Sequence, residues 1–152
     1  MIKQLSLEYR DRQTGKTRAL IAKTLQERLS EKYSQIIFLT PNLNYLRSIL
    51  VPKFVEALDS KGWVHKLVSR QETWYIEGLH YDTRLSVDYF RGRSGKYLFI
   101  LDEFELLDRK MLDALVRELE INTHIEAEIF GISSRVEGKS RFDYIRYEDY
   151  SI

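Results

Sequence analysis

Three short apolar runs interrupt an otherwise mixed chain: "QIIFLTPN", "KYLFILDEF" and "AEIFGISS". Each is continuous rather than alternating and too short for a helix, the pattern of a strand covered on both faces. Near the start, Lys3 to Tyr9 alternates and puts Leu5, Leu7 and Tyr9 on one side, which predicts a strand. "WVHKLV" reads as a further strand, Trp74 to Tyr89 as β-rich or irregular, and "DYIRYEDY" as a last strand at an edge. Helical spacing fills the intervals. Leu20, Ala22, Leu25 and Leu29 predict a buried stripe, with Glu27, Arg28, Glu31 and Lys32 in water. Leu46, Ile49, Leu50 and Leu58 predict a second helix that Pro52 kinks or restarts. Leu107, Met111, Leu115 and Leu119 predict a third. Strand and helix alternate, so a single α/β domain with a mostly parallel sheet flanked by helices is expected over residues 1–152.

Composition narrows the chemistry only a little. The net charge of +1 means that any nucleic-acid contact has to come from a local patch. The absence of cysteine excludes disulfides and thiolate metal sites. The opening "MIKQLSLEYR" lacks the apolar run of a signal peptide and no run reaches a membrane span, so a cytoplasmic protein without a membrane partner is expected. His65, His80 and His124 are scattered without ligand spacing, and no structural metal is expected.

The chemistry concentrates at two strand ends. "EYRDRQTGKTRAL" places Gly15, Lys16 and Thr17 between a predicted strand and a predicted helix. In a phosphate loop, backbone N–H groups and the helix N-terminus cradle the phosphates while lysine reaches the terminal ones. Lys16 would then neutralise phosphate charge and the Thr17 hydroxyl would ligate Mg²⁺. A polar turn opening a solvated helix gives the same three letters, and Arg10 stands where the usual pattern wants its first glycine. The second strand end supplies the other half. "YLFILDEF" closes an apolar strand with Asp102 and Glu103, the arrangement that presents a metal-binding carboxylate and a water-activating one. Carboxylates also favour a helix start for electrostatic reasons alone, and both readings can hold together. Loop and acidic pair in this order point to a P-loop NTPase.

"DRQTGKT" resembles the variant phosphate loop of viral DNA-packaging ATPases, the terminase large subunits of the helicase-like additional-strand class, in which a basic residue and a glutamine precede the GKT. "IIFLTPN" with "LNYLRSIL", "YFRGRSGKYLFILDEF" and "IFGISSR" resemble further landmarks of that family, so the likeness runs from about Leu5 to Arg135. The resemblance implies ATP and Mg²⁺ as ligands. Gln13, Thr14, Gly15, Lys16, Thr17 and Arg18 would contact nucleotide, with Thr17 and Asp102 on the metal and Glu103 as general base. It implies Arg12 as an arginine finger supplied within the chain, and Ser133 and Ser134 as the coupling motif that senses the terminal phosphate. Double-stranded DNA, viral packaging or replication proteins, or further copies of the chain are the implied partners. The family's nuclease domain is not expected: Asp143, Glu148 and Asp149 read as a solvated face. No clamp for adenine precedes the loop beyond Gln4 and Tyr9. Arg91, Arg93 and Lys96, beside Tyr89 and Phe90, are candidates for touching DNA or a neighbour's nucleotide, against a solvated turn before a buried strand. A nucleotide hydrolase is therefore the leading expectation. The alternative is a non-motor accessory or regulatory protein that keeps the fold and binds nucleotide, DNA or a motor subunit. A small-molecule kinase fits less well, because Glu103 suits water activation.

Overall fold

Residues 1–10, 16–62, 67–70, 73–76, 79–82 and 85–134 are described by a computed structural model. The elements run β1 (Ile2–Arg10), α1 (Lys16–Leu29), β2 (Gln35–Leu39), α2 (Leu43–Tyr45), a π turn (Leu46–Leu50) and α3 (Val51–Ser60). They continue through β3 (Leu67–Arg70), β4 (Thr73–Ile76), β5 (Leu79–Asp82), a 3₁₀ turn (Val87–Phe90), β6 (Gly95–Asp102), α4 (Arg109–Ile121) and β7 (Ile125–Ser134).

One seven-stranded sheet results, in the order β1-β7-β6-β2-β5-β4-β3. The pairs β1–β7, β7–β6, β6–β2 and β2–β5 are parallel, while β4 and β3 are antiparallel additions. The fold is the expected α/β class. Period-two alternation divides the apolar strands between two cores. Ile36, Phe38, Leu98, Ile100 and Ile132 pack with Leu20, Ile21 and Leu25 of α1 and Phe54 and Leu58 of α3. Ile37, Leu39, Phe99, Leu101 and Ile129 pack with Leu112, Leu115 and Leu119 of α4. The helices thus cover opposite faces, which is why β2 and β6 are continuously apolar.

Several details differ from the expectations. Ala22 is exposed; the buried residues of α1 near it are Leu20, Ile21, Thr24 and Leu25, and the Thr24 hydroxyl donates to the Leu20 carbonyl at 2.7 Å. Ile49 is also exposed, because the π turn adds a residue and rotates that position off the apolar stripe. Pro52 sits in the first turn of α3, directly after the π turn. The region Trp74 to Tyr89 contributes β4 and β5. Of "WVHKLV", residues 63–66 lie outside the described residues, as do "DYIRYEDY" and Asp143, Glu148 and Asp149. No helix among the described residues is long and apolar enough to cross a membrane.

Candidate functional site at the carboxyl edge of the sheet

Register aligns the strand ends that carry the chemistry. Arg10 pairs with Ser134 and Tyr9 with Ser133 across β1–β7, and Asp102 pairs with Ile132 across β6–β7. Leu39 pairs with Leu101, so Thr40 lies beside Asp102. The ends of β1, β7, β6 and β2 therefore form one rim, where parallel α/β sheets place their ligands. β7 is inserted between the strand that leads to the GKT segment and the strand that carries the acidic pair.

Asp102 is 2% exposed, and its Oδ2 accepts from the fully buried Thr40 hydroxyl at 3.1 Å. Thr17, in the first turn of α1, shares a short hydrogen bond with the Tyr45 hydroxyl. Burial pushes the Tyr45 hydroxyl pKa up, the Thr17 hydrogen bond pulls it down, and the charge of Asp102 adds to the rise. The Thr17–Tyr45 bond joins the start of α1 to the end of α2, and the Thr40–Asp102 bond joins the end of β2 to the end of β6. A buried carboxylate and a threonine hydroxyl are hard oxygen donors, and magnesium takes one or two such ligands together with phosphate oxygens and water. The donor set fits that ion.

Glu103 occupies the left-handed backbone region, φ 49° and ψ 54°, unusual for a residue with a side chain. Its N–H donates to the Ile132 carbonyl at 2.8 Å and its own carbonyl accepts from Leu106 at 2.9 Å. The side chain is also held: Ser134 Oγ donates to Oε1 at 3.1 Å, and the Ser134 N–H lies 3.5 Å from Oε2. Ser133 is fully buried and its hydroxyl accepts from the Glu105 N–H at 3.4 Å. The expected coupling serines thus touch the acidic segment itself. Glu105, 4% exposed, accepts from the Tyr9 hydroxyl, while the Tyr9 ring meets Phe104 edge-on at 5.3 Å. Tyr9 is occupied in supporting the acidic turn.

Lys16 is the first residue of α1, and Arg18 is exposed in the same turn. Arg12, Gln13, Thr14 and Gly15 lie outside the described residues. Arg91, Arg93 and Lys96 are not brought to this rim. They lie before or at the start of β6, whose length from Gly95 to Asp102 is about 23 Å. There Arg91 pairs with Asp88 at 3.2 Å and Arg93 lies 4.2 Å over the Tyr89 ring. With Phe90, Glu118 and His124, the two arginines line a cleft of about 630 Å³ at the edge opposite the site.

Sequence reasoning missed Thr40, Tyr45 and Glu105. Thr40 alone carried a signal, a hydroxyl closing a doubly buried strand. The other two are brought in by tertiary packing.

No protein-family model matches the chain, and no curated protein matches it. Solved structures do match. The sheet order and rim define an α/β domain with a mostly parallel sheet flanked by helices. More particularly, the chain has the fold of phage large terminase ATPase domains. It is similar to the large terminase of a thermophilic bacteriophage in complex with ADP, with a TM-score of 0.55 and 12% identity over 86% of this chain and 33% of that one. The ATPase domain of the Thermus phage P74-26 large terminase gives a TM-score of 0.56 and 16% identity over 94% of this chain and 63% of that one. The N-terminal domain of the DNA packaging ATPase from bacteriophage phi29 gives 0.55 and 15% over 97% and 80%. The chain spans about a third of the first of these proteins. At these identities the likeness establishes the fold.

Proposed function

We propose that this domain binds a nucleoside triphosphate, ATP by analogy with the folds it shares, and hydrolyses it with Mg²⁺. The observation that carries the reading is the placement of Asp102 and Glu103 at the carboxyl rim, with Asp102 bonded to Thr40 and Thr17 bonded to Tyr45 five residues further along the same segment. Lys16 and the N–H groups of the first turn of α1 receive the phosphates. Gln13, Thr14, Gly15 and Arg18 complete the nucleotide contacts. Thr17 and Asp102 would hold the metal, and Mg²⁺ when bound would neutralise charge on the nucleotide's phosphates. Glu103 orients the attacking water and takes up its proton. Its backbone is fixed by the Ile132 hydrogen bond and its carboxylate by Ser134. Arg12 steadies charge on the transferring phosphoryl group. Ser134, bonded to Glu103, and Ser133, bonded to Glu105, carry the change at the rim into β7.

The large terminase of the thermophilic bacteriophage was solved with ADP and with ATP-γ-S, and the phi29 protein is a DNA packaging ATPase. These likenesses support nucleotide as the ligand, and double-stranded DNA, packaging proteins or further copies of the chain as partners. Arg91, Arg93 and Lys96 at the far edge are then contacts to a DNA backbone or to a neighbouring subunit.

Phosphate release from Mg-ATP by the parent and Glu103→Gln tests the reading. Turnover in the parent, lowered by about 10² or more in the variant with nucleotide affinity retained, is expected for loss of a general base. Binding without turnover in the parent would assign the accessory role instead.

A further inference from the structure

One short segment holds both candidate metal ligands. β2 ends at Leu39, and the next residue, Thr40, donates its hydroxyl to Asp102. Pro41 follows. Asn42 then caps α2 by accepting the Tyr45 N–H on its side-chain oxygen at 3.0 Å, which fixes the backbone of Tyr45. From there the Tyr45 hydroxyl meets Thr17. The segment Thr40–Tyr45 therefore applies one hydroxyl to each ligand, although neither hydroxyl belongs to the phosphate loop or the acidic strand.

A threonine hydroxyl has one proton and two lone pairs and rotates freely unless held. A metal accepts only a lone pair, so a rotor that points its proton at the cation binds it poorly. A partner on the far side of the oxygen fixes the rotor and leaves a lone pair directed outward. Tyr45 is suited to that place, with its ring partly buried and its backbone held by the Asn42 cap.

We propose that Tyr45 is a positioning residue which, through its hydrogen bond to Thr17, sets the affinity of the nucleotide-loaded site for its divalent cation. The inference rests on the nucleotide-and-metal reading given above. It concerns the cation's hold and not the chemical step.

The test uses the full chain, a non-hydrolysable ATP analogue, and Mg²⁺ or Mn²⁺, with Mn²⁺ binding followed by electron paramagnetic resonance. Tyr45→Phe keeps the ring and removes only the hydroxyl. The expected result is a rise of about ten-fold in the metal concentration that half-saturates the analogue-bound protein, the lower end of the effect of losing an outer partner. Analogue affinity without metal and the melting temperature should stay near the parent's. In a Thr17→Val background, where no hydroxyl remains to be oriented, Tyr45→Phe should add nothing. An unchanged metal requirement in Tyr45→Phe overturns the proposal. So does an equal loss of analogue affinity with and without metal, the mark of a merely structural residue, or a full effect persisting in Thr17→Val. A parent that binds no analogue under any condition refutes the nucleotide reading itself, and the inference falls with it.

Discussion

Gly131→Ala should loosen the fold and the acidic turn together. Gly131 is buried in β7, paired with Leu7 on one side and Leu101 on the other. A Cβ there would stand 2.8 Å from Leu7 Cδ2, 3.0 Å from Phe104 Cδ1 and 3.3 Å from Leu101 Cβ. Leu7 is only partly buried and its methyl can swing aside. Phe104 is fully buried, held against Tyr9, and has no such freedom. Overpacking of this kind costs about 1–3 kcal/mol. The lower chain entropy of alanine offsets about 0.5–1 kcal/mol of that. A net loss of about 0.5–2 kcal/mol follows, or a melting temperature lower by about 1–8 °C for a chain of this size. Because Phe104 sits between Glu103 and Glu105, its displacement should also reduce turnover in the folded fraction. Urea titration with phosphate release at matched folded concentration measures both. A Gly131→Ala protein as stable as the parent would refute the close-packing argument.

Lys16→Ala should abolish measurable affinity for ATP in calorimetric titration, since a central phosphate charge loses its partner; unchanged affinity would remove the phosphate loop from the account. Ser134→Ala should lower single-turnover hydrolysis by about ten-fold, the scale of one hydrogen bond to a charged group. Ser134→Thr should restore most of it, and nucleotide affinity should be the same in all three proteins. Arg12→Ala should keep affinity and lower the single-turnover rate, with Arg12→Lys recovering only part because an ammonium cannot present two parallel donors. A lowered melting temperature with the rate preserved would make Arg12 a turn residue.

Much of the fold is legible in the sequence because burial on both faces leaves a clear trace. β2 and β6 read as strands from their continuous apolar runs, and the helical spacing of Leu115 and Leu119 marks α4. Failures come where local geometry breaks the period. Ile49 fits an apolar stripe that the π turn rotates away, and an apolar count favours Ala22 over Thr24. Thr24 is polar and escapes any such count, yet it is buried because its hydroxyl finds the Leu20 carbonyl. At the site, residue types are readable and their partners are not. Thr40 and Asp102 are 62 positions apart, Ser134 and Glu103 are 31 apart, and Thr17 and Tyr45 are 28 apart. Such pairings depend on the strand order, in which β7 enters between β1 and β6, and no local pattern encodes that insertion.

The central claim is that nucleotide and cation meet at the carboxyl rim of the sheet. A crystal structure of the full chain grown with a non-hydrolysable ATP analogue and Mg²⁺ tests it most directly. The account predicts terminal phosphates against Lys16 and the first turn of α1, the cation between Thr17 and Asp102, and Glu103 facing a water in line with the last phosphate. An analogue bound instead in the cleft by Arg91, Arg93 and His124, or a rim left without ligand at saturating analogue, would contradict it.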